Sequence, residues 1–454
     1  MKKLSTKKMI CFAIGQFGWS LLSGCIGSWL VFFYQPEIGA QGAVETLFIP
    51  QGRIILGIAT IIGAITALGR VLDAVTDPWI ASMSDKCKSK NGRRIPFLKW
   101  SALPLALSVV MIFWAPVNRT SWGNALWLAI FIICYYLSIT AYCTPYNALI
   151  AELGHTQEER LNISTAISLT FFLGTAVAYQ ASAIWGIFEP SMGRVPAIRL
   201  TFVIFAVIAF ICMLVPPLTI KEKEYVVAKP VEGSAFSSLS KTFKNKNFRV
   251  FVASDIFYWI ALTMFQTGLV YFVTVLLKLD TAMSGLYFII MSVLSVIFYV
   301  PVNMISKKVG KKKLVTLAFL MFCIVYLYSV FLGEKMPISP VVQGYILVIL
   351  ASLPMAIFGI LPQAMVADVA ESDSIKTGES REGMFFAART FAFKLGQSIS
   401  MLLFTALATI GAGTGMGYRV IAGLACVFCA IGGVALLFYD EKSINKTIQE
   451  HSKN

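Results

Sequence analysis

The 454-residue chain is 57% hydrophobic and only 13% charged, with a mean hydropathy of +0.75, which excludes a soluble globular fold and makes lipid its solvent. Its formal net charge of +15 does not point to nucleic acid, because the basic residues lie in short clusters between apolar runs and not on one face. Nine scattered cysteines and only two histidines, His155 and His451, predict no disulfide framework, zinc site or cofactor.

In chain order, basic residues 1–8 lead into a first apolar span, 9–34, with no small-residue cleavage signal. It reads as a retained helix and not as a signal peptide. This span carries Gln16, Trp19 and Ser20. The second, 53–83, holds Arg70, Asp73 and Asp77 at i, i+3 and i+7, one helical face, with Thr76 adjoining. Ionisable groups at the membrane centre cost a few kcal/mol each, so they need a partner or a purpose. Two carboxylates one turn apart repel unless a cation lies between them or one is protonated, and oxygen ligands suit hard cations. A site for Na⁺, Li⁺ or H⁺ at Asp73 and Asp77 is one reading. The other is an Arg70–Asp73 structural pair with Asp77 capping the turn at Pro78.

Spans at 96–117 and 123–152 follow. The latter carries Tyr142, Cys143, Thr144, Tyr146 and Asn147. Aromatic faces with hydrogen-bonding side chains suit a sugar ring, and the same residue types also glue helices together. Spans at 163–188 and 198–220 complete a first set of six. The polar stretch 221–247 then separates it from spans at 248–276, 281–306, 314–333, 341–370, 383–411 and 417–440. Lys394 lies well inside the eleventh span, after Arg389 and Thr390, and calls for an anionic partner from the second span or from a substrate. Snorkelling is the alternative, above all for Arg389. Arg160 follows the fourth span and Asp368 the tenth, opposite charges that could latch two halves together.

Twelve spans put both termini on one side, and the basic clusters at 86–94, 221–249 and 307–313 make that side cytoplasmic. The expected organisation is an all-α integral membrane protein: an N-terminal half at 1–220, a linker at 221–247, a C-terminal half at 248–440 and a tail at 441–454. An internal echo supports two parallel halves, since Gly92-Arg93-Arg94 and Gly310-Lys311-Lys312-Lys313 follow the second and eighth spans. Parallel six-helix halves are a transporter architecture. No nucleophile, acid–base pair or metal cluster suggests an enzyme, and no room is left for a sensor's output domain.

Asp73-Ala74-Val75-Thr76-Asp77-Pro78 with Ser84-Asp85 and Gly92-Arg93-Arg94-Ile95-Pro96, and Val366-Ala367-Asp368 through Lys376-Thr377-Gly378, Arg381-Glu382-Gly383 and Lys394, resemble the signatures of the glycoside-pentoside-hexuronide:cation symporters. The resemblance implies the major facilitator fold and symport of a sugar or glycoside with Na⁺, Li⁺ or H⁺ by alternating access, from a bacterial inner membrane and as a monomer. It implies cation binding at Asp73, Thr76, Asp77 and Thr140, with Asp73 and Asp77 as the metal carboxylates if the ion is Na⁺ or Li⁺. It implies substrate contacts at Thr390 and Lys394, and an inter-domain pair of Arg160 and Asp368. The family's galactoside anchors fall at Ser20 and Cys143 and its aromatic platform at Asn147. Trp19, Ser20, Tyr142, Cys143, Tyr146 and Asn147 therefore complete the expected substrate set, but the carboxylate anchors are gone. A simple galactoside is not the expected cargo. An acidic sugar is a minority expectation, because Lys394 and Arg389 would then face few anions. The rival expectation is the same fold carrying another cargo, such as a lysolipid or peptide.

Overall fold

The computed structural model describes residues 4–37, 46–154, 157–225, 242–333, 336–378 and 382–451. Lipid offers backbone N–H and C=O groups no partners, so spanning segments must close their hydrogen bonds internally. The described residues accordingly form helices, and the only pairing of extended backbone among them is a single bridge between Ile55 and Ala59.

They fall into two compact units. The first holds α1 (Thr6–Tyr34), α2 (Ile61–Lys86), α3 (Ile95–Phe113), α4 (Trp122–Leu153), α5 (Gln157–Tyr179), α6 (Ala181–Met192) and α7 (Arg194–Thr219), with Thr281–Gly285. The second holds α8 (Lys246–Tyr271, continued by a π turn over Phe272–Leu276), α9 (Thr281–Val309) from residue 286, α10 (Lys311–Phe331), α11 (Pro340–Thr377), α12 (Glu382–Ala408), α13 (Met416–Leu437) and α14 (Glu441–His451). Eleven described segments are long and apolar enough to cross a membrane. With 26 residues α2 is also long enough, but Arg70, Asp73, Asp77, Asp85 and Lys86 set it apart from those eleven.

Several boundaries differ from the apolar pattern. The second span starts at Ile61 and not near 53, because Thr60 caps α2 through Gly63 N–H at 3.1 Å and the apolar residues before it form a tight turn around Leu56. The fifth span breaks at Gln180 into α5 and α6. Asp368 lies inside α11, which runs on to Thr377 before Gly378 ends it in a left-handed conformation. The tail contains a helix, α14, that packs on α11.

Each unit repeats one packing scheme. In the first, α1 packs on α5 and α7, while α3 packs on α4 and α7; in the second, α8 packs on α12 and α13, while α10 packs on α11 and α13. The repeat extends to the basic turns. Gly92, at φ +109°, precedes α3, and the buried Glu222 from just beyond α7 accepts from the N–H groups of Arg93 (2.9 Å), Arg94 (2.8 Å) and Ile95 (3.0 Å). Gly310, at φ +95°, precedes α10, and Glu441 from just beyond α13 accepts from Lys311 N–H (2.7 Å) and Lys312 N–H (3.2 Å). Each carboxylate meets orphan donors and the positive end of a helix dipole. A basic side chain of each turn also pairs with an acid late in the unit's fourth span: Arg93 with Glu152 at 2.7 Å, and Lys311 with Asp368. Glycine, fourth-span acid and final acid recur 216 to 219 positions apart. Arg94 adds bonds to Ser84, Asp85 and Glu152 in the first unit.

The E222Q and E441Q variants keep side-chain size but weaken the charge-assisted bonds. Each is expected to lower the apparent unfolding midpoint of the purified protein, with a cost of about 1–3 kcal/mol. G92A should cost more, since its Cβ would lie 2.3 Å from the Glu222 carboxylate. An E222Q midpoint equal to wild type would show that this cap contributes nothing.

Candidate functional site

Gly69 lets α2 and α4 come close: a Cβ there would lie 2.4 Å from the Tyr136 ring and 2.7 Å from Ile132. Beyond that contact the two helices present a ladder of oxygens. Asp73 and Thr140 are both buried, and the Thr140 hydroxyl donates to Asp73 Oδ1. One turn on, the Thr144 hydroxyl donates to Asp77 Oδ1 at 3.2 Å. Thr76 turns its hydroxyl back to its own helix, donating to Leu72 O at 2.8 Å and Asp73 O at 3.2 Å. The Arg70 guanidinium lies over the Tyr136 ring, 5.3 Å from its centroid, a cation–π contact.

The structure thus brings Thr140 to Asp73, and it adds Thr144 on the second rung. Hydroxyls that give their protons to carboxylates keep lone pairs for an ion, so the ladder offers a small cation oxygen ligands. Among the described residues no three His, Cys, Asp or Glu gather as a metal cluster. Thr144 was legible only as a hydrogen-bonding residue for a sugar or for a neighbouring helix, since its carboxylate partner lies 67 positions away in sequence.

The aromatic and small residues of α1 and α4 divide. Ser20 is fully buried with its hydroxyl on Phe17 O at 3.1 Å, and a Cβ on Gly174 of α5 would meet it at 2.1 Å. The Tyr142 hydroxyl donates to Met213 O of α7 at 2.9 Å; that of Tyr146 donates to Phe12 O at 2.6 Å, with the Phe12 and Tyr146 rings stacked at 4.2 Å. These three side chains serve helix packing. Trp19 is half-buried, donates to Gln16 Oε1 at 3.2 Å and lies 5.6 Å from the Phe171 ring. Cys143 is half-buried and Asn147 exposed.

On α12, Thr390 and Lys394 are half-buried, one turn apart on one face. Arg389 is buried and forked onto Asp255 of α8: Nε to Oδ2 at 2.8 Å and Nη2 to Oδ1 at 3.0 Å. This corrects both readings of Arg389. It neither snorkels nor awaits an acidic solute, because a buried carboxylate already matches its fork. Asp255 escaped notice as a lone acid in an apolar run. Asp368, expected to pair with Arg160, pairs with Lys311 of its own unit; the Arg160 side chain lies outside the described residues.

A family model described as MFS/sugar transport protein matches residues 11–439. The isoprimeverose transporter of Lactiplantibacillus pentosus is 21% identical over 392 residues, covering 86% of this chain and 77% of its own length. The sodium-dependent lysophosphatidylcholine symporter 1 of Xenopus tropicalis is 23% identical over 435 residues, covering 88% of this chain and 78% of its own. The crystal structure of a D-xylose-proton symporter superposes with a TM-score of 0.66 at 15% identity, over 96% of this chain and 97% of that one; at that identity it shows the fold alone.

Breaking a buried ion pair by removing one partner costs about 3–5 kcal/mol. D255N and R389Q are each expected to lower the unfolding midpoint strongly, and the double variant D255N/R389Q to recover part of the loss. Strictly additive losses in that cycle would mean that the two side chains act independently.

Proposed function

The chain belongs to the MFS/sugar transport protein family, that of the sugar:cation symporters, and from that premise we propose that it is a secondary active symporter of a neutral sugar or glycoside. A gradient of Na⁺, Li⁺ or H⁺ drives it by alternating access. The observation that carries the reading is the α2–α4 ladder, in which Thr140 and Thr144 meet Asp73 and Asp77 inside apolar helices. Carboxylates at that depth are costly unless they serve an ion pathway or a partner; these meet hydroxyls that an ion can share, with the Arg70 guanidinium near enough to act on Asp73 electrostatically.

In this reading the cation sits among Asp73, Asp77, Thr140 and Thr144, with Thr76 beside them. It offsets the repulsion of the two carboxylates, and ion and solute each stabilise a state that neither secures alone, which is the origin of coupling. Trp19, Cys143 and Asn147 of the first unit and Thr390 and Lys394 of the second are candidate solute contacts, each within its own unit. Pairing of Arg389 with Asp255 takes Arg389 out of the charge-balance argument for an acidic cargo, which then rests on Lys394 alone. The basic loops support cytoplasmic termini in a bacterial plasma membrane.

A second reading, carriage of a lysolipid, is supported by the likeness to the lysophosphatidylcholine symporter. Uptake into proteoliposomes separates the two. Radiolabelled neutral glycosides, acidic glycosides and lysophosphatidylcholine would be offered under separately imposed Na⁺, Li⁺ and H⁺ gradients. Accumulation of a neutral glycoside under one gradient is expected, with D73N and D77N losing the gradient-driven part. Undiminished uphill uptake by D77N contradicts the cation assignment, and accumulation of the lysolipid alone replaces the cargo.

A further inference from the structure

α8 and α12 lie side by side with residue numbers rising together, and their contacts keep one register. Asp255 meets Arg389, the Trp259 and Phe393 rings stack at 4.5 Å, and Thr267 Oγ1 lies 3.8 Å from Met401 Sδ. In each pair the partners are 134 positions apart. Residues 255, 259 and 267 fall on one stripe of α8 at helical spacing, with one step left out. The omitted rung is Thr263 opposite Gln397.

That rung is polar on both sides and unmade. Thr263 is 8% exposed. Its Oγ1 and the Gln397 Oε1 are buried without a hydrogen-bond partner among the described residues, and so is the indole Nε1 of Trp259 one turn earlier. Buried polar atoms are nearly always paired, and inside a membrane span an unpaired one has no water to turn to. Thr263 lies near the middle of the Lys246–Leu276 span and Gln397 near the middle of Met384–Ala408, the depth at which carriers hold their solutes. Gln397 also shares the face of Thr390 and Lys394, three residues beyond the second and seven beyond the first.

We infer that Trp259, Thr263 and Gln397 form a subsite for hydroxyl groups of the solute; this rests on the glycoside-symport reading above. The indole N–H donates to a solute oxygen, the Gln397 carbonyl accepts from a solute O–H, and the Thr263 hydroxyl does either. Trp259 and Gln397 are only half-buried as whole side chains, so a rotamer change turns their polar atoms toward a bound ring. The ligand class is a neutral polyhydroxylated ring. The subsite's own groups, an indole N–H, a hydroxyl and an amide, match solute hydroxyls without a charge, and the ladder's guanidinium, Arg389, is already held by Asp255. A trapped water would offer the same O–H chemistry.

The test is uptake of D-xylose, isoprimeverose, methyl-β-D-glucoside and D-glucuronate into proteoliposomes under Na⁺, Li⁺ or H⁺ gradients, for wild type, T263V, T263S and Q397L, with the unfolding midpoint of each. For the neutral sugar that wild type accumulates, KM should rise about tenfold in T263V and in Q397L, the effect of losing one well-made hydrogen bond. The half-saturating cation concentration should stay unchanged, and T263S should restore KM. Unchanged KM in both variants with a lowered midpoint means a structural water only and overturns the subsite. Wild-type accumulation of glucuronate alone overturns the neutral-ring assignment. Accumulation of none of the four by wild type overturns the glycoside reading, and the subsite with it.

Discussion

An ionised side chain placed among apolar helices must be met by an opposite charge or by donors within hydrogen-bond reach, and the protein's organisation follows from how it meets that demand. Three solutions recur. At the basic turns, carboxylates from the ends of α7 and α13 close the N-termini of α3 and α10. Between α8 and α12, a guanidinium fork seals a carboxylate. Between α2 and α4, carboxylates meet hydroxyls. The first two arrangements are fixed, because backbone donors and a bidentate fork have one good geometry each. The third is adaptable: a hydroxyl can be shared with an ion without dismantling the helix that carries it.

That contrast separates scaffold from machinery. The basic-turn clasps repeat in both units with nearly the same spacing, as elements that hold the helix ends of each unit would. The Asp255–Arg389 pair anchors one end of the α8–α12 ladder, and the stack of Trp259 on Phe393 continues it. Where the ladder leaves a rung unmade, and where α2 offers its two carboxylates to α4, the packing presents chemistry that helix association alone does not require.

The sequence made the architecture legible because lipid imposes one secondary structure, and length and apolarity report it directly. Asp73 and Asp77 stood out because two acids at helical spacing in a span are rare. The paired glycine–basic turns hinted at the repeat, but Glu222 and Glu441 fall in the polar linker and the tail, where nothing in the apolar pattern marks them. Their role depends on bonds to backbone donors 129 and 130 positions away, at Arg93 and Lys311. Asp255 was hidden for the same reason, since its partner lies 134 positions away. Ser20, Tyr142 and Tyr146 carry side chains equally fit for a sugar or for a neighbouring helix, and only their observed acceptors on Phe17, Met213 and Phe12 decide between the two.

Equilibrium binding of radioactive sodium to the purified protein shows whether the Asp73–Asp77 ladder holds the coupling ion. For a ladder that takes Na⁺ or Li⁺, the expected result is saturable binding that Li⁺ or acid displaces, that a transported glycoside strengthens, and that D73N and D77N abolish while leaving the fold intact. Saturable sodium binding with undiminished affinity in both variants would contradict it.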